Sequence, residues 1–203
     1  MKNPDETEIL NPWFTMWFKP RETISQITAA KPLKMVLLLG ALTGIEICLS
    51  SFSAKGDFGE FSLTKAMLIC LLVGPVVGVG LTFIFSILLK MVGYCLGGNG
   101  SILNICAAFA WGNLPIICGI PFSILTVLLL FKMPATGMPA VIQICAEIMD
   151  ILLGIWSFFI TLNCLMQVQG FFSLWRAFAN ILLAELIISI LLLMAVKVLW
   201  AGI

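Results

Sequence analysis

The sequence predicts an all-α integral membrane protein: a five-span helical bundle with an N-terminal interfacial amphipathic helix and a proline-broken third span. Three observations carry this. Of 203 residues, 61% are hydrophobic and 10% charged, with mean hydropathy +1.13, whereas about a quarter of a soluble domain is charged. Apolar runs long enough to span, about 20 residues or more, occur at Leu33–Phe52, Leu63–Tyr94, Ile102–Phe131, Val141–Val168 and Trp175–Trp200. The third of these carries Trp111-Gly112-Asn113-Leu114-Pro115 and Gly119-Ile120-Pro121, and each proline removes an amide donor from the helix. The chain divides into a cytoplasmic segment, residues 1–32, and a five-helix transmembrane domain, residues 33–203.

The first 30 residues hold acids, prolines and tryptophans rather than a basic end before an apolar core, so the first span is expected to direct insertion as well. An N-terminus in the cytoplasm places Lys2, Lys19, Arg21, Lys31, Lys34, Lys90 and Arg176 inside, against Lys55, Lys65, Lys132 and Lys197 outside. That bias predicts N-in, C-out.

Within Asn11 to Ala30, Asn11 and Pro12 have the chemistry of an N-cap and first helical position. Trp13, Trp17, Ile24 and Ile27 fall near one face, with Lys19, Arg21 and Glu22 marking a wet side. This pattern predicts a helix in the membrane interface that anchors the chain or meets a partner; a juxtamembrane linker with an aromatic belt is the alternative.

The first span carries Gly40, Thr43, Glu46 and Ser50 near one face, with Glu46 about 20 Å from its inner end. The loop that follows, with Asp57 and Glu60, has the look of a solvated connection. In the second span Gly74, Gly78, Thr82 and Ser86 recur every four residues. Small residues at this spacing let helices approach closely in lipid, which favours helix packing over a ligand site and opens the way to a homo- or hetero-oligomer through Gly74 and Gly78. The turn Gly97-Gly98-Asn99-Gly100-Ser101 lacks the Gly-Lys-Ser/Thr ending of a phosphate loop and reads as a tight turn.

The fourth span carries the polar stripe Gln143, Glu147, Asp150, Gly154, Ser157, Thr161 and Cys164 at alternating spacings of four and three, which falls along one helical face. Four carboxylates, Glu46, Glu147, Asp150 and Glu185, therefore lie within spans. Glu147 and Asp150 are about 12 and 16 Å deep from the outer side and Glu185 about 14 Å beyond Arg176, so all four can meet in one layer. An acid at a span centre costs roughly 2.5–3.5 kcal/mol, which sets orientation: the acids should face the bundle. With no deep Lys or Arg, they must be protonated, hydrated or bound to a cation. One reading makes them neutral acids bonded between helices, with Asn113, Ser50 and Thr43 as partners. The other is a cation or proton site of Glu147 and Asp150, assisted by Glu46, Glu185, Asn113 and the carbonyls near Pro115. Its metal identity is open, oxygen donors suiting a hard cation better than zinc.

Histidine is absent, which removes the commonest general base and nitrogen ligand for metals. The seven cysteines make no C-x-x-C pair and read as small hydrophobes. No catalytic residue and no cofactor is indicated, and a net charge of +1 implies no nucleic-acid partner; the bilayer is the partner that composition implies.

The run Asn11-Pro12-Trp13…Trp17-Phe18-Lys19-Pro20-Arg21-Glu22-Thr23-Ile24 resembles the opening signature of the Yip family, membrane proteins named for interacting with Ypt/Rab GTPases. Gly97-Gly98-Asn99-Gly100-Ser101 followed by Ala110-Trp111…Leu114-Pro115 is similar to that family's loop and third span, as is Val168-Gln169-Gly170-Phe171 before its last span. The resemblance implies five spans and a cytoplasmic N-terminus and, in eukaryotic members, Rab binding and vesicle traffic between endoplasmic reticulum and Golgi. The segment ahead of the first span is much shorter here, which argues against a GTPase partner. The compact form is similar to the prokaryotic branch, in the cytoplasmic membrane. A membrane-organising or trafficking adaptor is the expected function, with a cation- or proton-coupled transporter or channel as the alternative.

Overall fold

The computed structural model describes residues 10–30, 32–55, 62–132 and 138–201. The connection around Asp57 and Glu60 lies outside these residues, as do Lys2 and Lys31 of the basic set. The helices are α1 (Pro12–Thr15), α2 (Pro20–Ala29), α3 (Leu33–Lys55), α4 (Leu63–Cys95), α5 (Ile102–Gly112), α6 (Leu114–Cys118), α7 (Ile120–Lys132), α8 (Met138–Gln169) and α9 (Leu174–Ala201). Helices α3, α4, α8 and α9 are each long and apolar enough to cross a bilayer, and α5–α6 with α7 form a fifth span bent by 43°. Each span buries only 22–39% of its most apolar window, so most of its surface, including Leu72, Val76, Ile151 and Leu186, faces lipid.

Local chemistry sets several of the ends. Asn11 Oδ1 accepts from the Trp13 amide, 3.2 Å, with Pro12 opening α1 as expected. Ser62 and Ser101 cap α4 and α5 through the amides of Lys65 and Asn104. These hydroxyls satisfy amides that have no partner within the helix.

The tightest seam joins α3 to α4. A Cβ added to Gly44 would collide with the Gly74 carbonyl and stand 2.6 Å from the Gly78 Cα, and one added to Gly78 would collide with the Gly40 carbonyl. Glycine is therefore required on both sides of the crossing. This corrects the expectation of an oligomer through Gly74 and Gly78: both are buried against Gly40 and Gly44 of the same chain, so the surface is already filled.

Helix α5 is the hub. Ile105, Cys106, Ala107, Ala108, Ala110 and Trp111 are all buried, and α2, α3, α4 and α8 pack around it. Gly112 ends it where a Cβ would stand 2.9 Å from Thr161 Cα, so the break is also where α8 comes closest. At that break the Ser157 hydroxyl is shared between the Gly112 carbonyl, 2.9 Å, and Asn113 Oδ1, 3.0 Å. Protein thus supplies the partner that an interrupted helix needs at membrane depth. All seven cysteines are free thiols.

Candidate functional site

The four acids do not share one pocket. Glu46 of α3 and Asp150 of α8 share a pocket of about 270 Å³ with Ile47, Ser50, Ser51, Ile116 and Leu153. Glu46 is buried, and its Oε1 accepts the hydroxyl of Ser123 from α7 at 2.6 Å. Asp150 is half-buried and its Oδ2 accepts the Ser50 hydroxyl at 2.6 Å. Ser50 thus pairs as expected, whereas Thr43 bonds back to the Leu39 carbonyl and Asn113 meets Ser157. Ser123 was not singled out by the sequence; its signal is a hydroxyl in an apolar stretch two residues past Pro121.

Glu185 lies elsewhere. It stands exposed on α9, at a groove of about 450 Å³ lined by Thr43, Thr82, Asn113, Ser157 and Thr161 together with aromatic side chains. Ile47 of α3 and Ile116 of α6 line both spaces and stand between them. Asn113 belongs to the Glu185 groove and not to the Glu46 pocket.

Glu147 is exposed on α8, so the placement of Glu147 in an inward acidic centre is corrected. The reason lies in its place along the span. Glu147 sits in the first half of α8, where Val141, Ile144, Ile148 and Ile151 are exposed too, whereas Ser157, Thr161 and Cys164 farther along the stripe are buried against the bundle. Among the described residues, no three of the Cys, Asp and Glu side chains are grouped as metal ligands.

The N-terminal segment is docked on the bundle. Met16 and Ile24 are fully buried, Thr23 is buried between them, and α2 packs on α8 and α5. Arg21 is correspondingly half-buried rather than on a wet side: its Nε donates to Asn163 Oδ1 of α8 at 2.9 Å. Trp13 meets Trp111 edge-on with ring centroids 5.4 Å apart, and Trp17 packs against the core. Lys19 remains on the wet side, 3.9 Å from Glu22, both well exposed, a pairing that contributes little.

The two glycine-containing turns meet at the same end. Gln169, 1% exposed, donates from Nε2 to the Leu89 carbonyl, 3.1 Å, and accepts at Oε1 from the Gly100 amide, 3.3 Å. Its carbonyl takes the Asn99 amide at 3.1 Å. Gly97 and Gly170 turn with φ of 86° and 71°, conformations that glycine adopts freely. Glycine at 98 leaves room for Gln169 and Phe171, since a Cβ there would come within 2.6 Å of Gln169 Oε1 and 2.9 Å of the Phe171 ring. The α4–α5 and α8–α9 connections are thus fastened by one buried amide, a contact the sequence reading missed although it had noted both stretches.

With the broken third span, the docked amphipathic segment and the paired glycine turns established, the comparison with known families is decisive: residues 14–196 match the Yip1 domain. The chain belongs to the Yip1 domain family. No curated protein and no solved structure matches it. The Yip1 domain match begins beside the docked helices and ends within α9, so it includes the Gln169 fastening, the broken span and all four intramembrane acids.

Proposed function

We propose that this Yip1 domain protein is a non-enzymatic membrane-organising or trafficking-related adaptor that presents its N-terminal segment to a partner in the membrane. One observation carries the reading: docking through Met16, Thr23 and Ile24 leaves Phe14 73% and Phe18 85% exposed on a held scaffold. Rigid, outward aromatic side chains supply contact area at low entropic cost. The absence of histidine supports the non-enzymatic reading. The basic bias supports an N-terminus in the cytoplasm and a C-terminus outside. A GTPase partner is not part of the proposal.

A photo-crosslinker replacing Phe18 in intact membranes is expected to capture a defined membrane protein, identified by mass spectrometry. The adduct is lost with Phe14→Ser and is not formed from a crosslinker at Leu186. In the same cells an impermeant thiol reagent should label Cys95, at the inner end of α4, only after permeabilisation. Capture of lipid alone from position 18 would sink the adaptor reading.

A further inference from the structure

We propose that Glu46 holds one exchangeable proton, loaded and released through Asp150, in the pocket between α3, α7 and α8. This goes beyond the adaptor reading and does not depend on it. Glu46 is 3% exposed. Its Oε1 is occupied by the Ser123 hydroxyl, while Oε2 is fully enclosed and has no hydrogen-bond partner. An ionised carboxylate in that position would be a buried charge with one oxygen unsolvated, the most unfavourable state for a polar group.

Among the described residues no basic side chain lines its pocket. Asp150 faces the pocket from α8, α7 offers Ser123 and α6 offers Ile116. The charged residues of α4, Lys65 and Lys90, lie toward its two ends, α5 and α6 have none, and Lys132 closes α7. Of the nearby thiols, Cys70 packs with Leu49 and Val127 in a separate apolar cluster and Cys118 is exposed. A metal ion needs several oxygen ligands, and among the described residues no three Cys, Asp or Glu side chains are grouped to supply them. A proton needs no volume.

The route is set by helix geometry. Ser50 stands one turn beyond Glu46 on the same face of α3, and its hydroxyl is bonded to the half-buried Asp150. The pocket of about 270 Å³ is large enough for several waters. The proton enters from bulk water beside the half-buried Asp150 and passes along pocket water to the Glu46 carboxyl, which lines the same pocket. One O–H bond forms as another breaks, and release runs in reverse. Because the Glu46–Ser123 bond ties α3 to α7 just past the 43° break, loading also changes a charge-assisted bond into a weaker neutral one at the hinge of the third span.

The test is infrared spectroscopy of the full chain in lipid nanodiscs. A protonated-carboxyl band is expected at neutral pH that shifts in deuterium oxide, is lost in Glu46→Gln and is kept in Glu147→Gln. Ser123→Ala, which retains the acid, should displace the band without removing it. Asp150→Asn should keep it and slow its deuterium exchange by an order of magnitude or more. Absence of the band at neutral pH overturns the proposal. So does a band insensitive to Glu46→Gln, or one abolished at constant pH by sodium, potassium or calcium, which would make the pocket a metal-ion site.

Discussion

The half of the bundle beside the N-terminal segment and the half beyond Asn113 bury polar groups of different kinds. The first buries neutral ones: Gln169, Thr23, Ser86 and Asn180. Gln169 has a partner at both Nε2 and Oε1, while the Asn180 amide lacks one. The second buries a carboxylic acid with one free oxygen. An unpaired amide or hydroxyl costs about 1–3 kcal/mol, a buried unpaired charge far more. A neutral group can therefore remain as a structural imperfection, whereas an acid must change its protonation state. The first half is built to stay fixed and the second to exchange.

The strongest way to break this comparison is at Gln169. Gln169→Ala removes both side-chain bonds and leaves the Gly100 amide without the acceptor that the side chain had supplied. A loss of about 3 kcal/mol or more is expected in unfolding by denaturing detergent, against less than about 0.5 kcal/mol for the exposed Gln167→Ala. Equal, small effects would mean that the turns are held independently and the first half has no single fastening.

How much of this was legible follows from how local each signal is. Span limits and the third-span break rest on length, hydropathy and proline chemistry, and Leu33–Ser53, Leu63–Cys95 and the bent Ile102–Phe131 fall within a residue or so of expectation. Pairing is non-local. The Gly74–Gly78 stripe was visible, but not that Gly40 and Gly44 fill it. The apolar face of α2 was visible, but lipid and α8 are equally apolar, so the periodicity could not say which one covers Ile24. Glu147 misled because a stripe shows which residues share a face but not how far along the span that face stays covered, and around Glu147 the helix is exposed. Ser123 was hidden because a lone serine gives no pattern, and Glu46 finds it only once the chain has bent at Gly119.

A smaller effect is expected from Arg21→Ala. Loss of the bond to Asn163 should weaken docking of α2 by about 1 kcal/mol, read as faster hydrogen exchange over residues 20–29 with the spans unchanged. Lys19→Ala, which removes only the exposed pair with Glu22, should leave that exchange where it was. If Arg21→Ala also had no effect, the segment would be held by Met16 and Ile24 alone.

The smallest change in stability is expected where the chemistry matters most. Glu46→Gln replaces a carboxylic acid with a neutral group of nearly the same shape, and the Ser123 hydroxyl can still donate to its carbonyl oxygen. With Glu46 uncharged in the folded protein, the variant should match the parent chain within about 1 kcal/mol near about pH 4, where the unfolded chain keeps its proton too. The sign above that follows from linkage: an acid kept neutral by the fold and ionised on unfolding weakens the parent as pH rises past about 4.3, the ordinary glutamate value, while the glutamine variant has no proton to lose. The two stability curves should therefore separate from there toward neutral pH, with the variant the more stable. A large loss at neutral pH would instead show that the folded chain uses the negative charge at Glu46, and the far half would then be fixed by electrostatics as firmly as the near half is by Gln169.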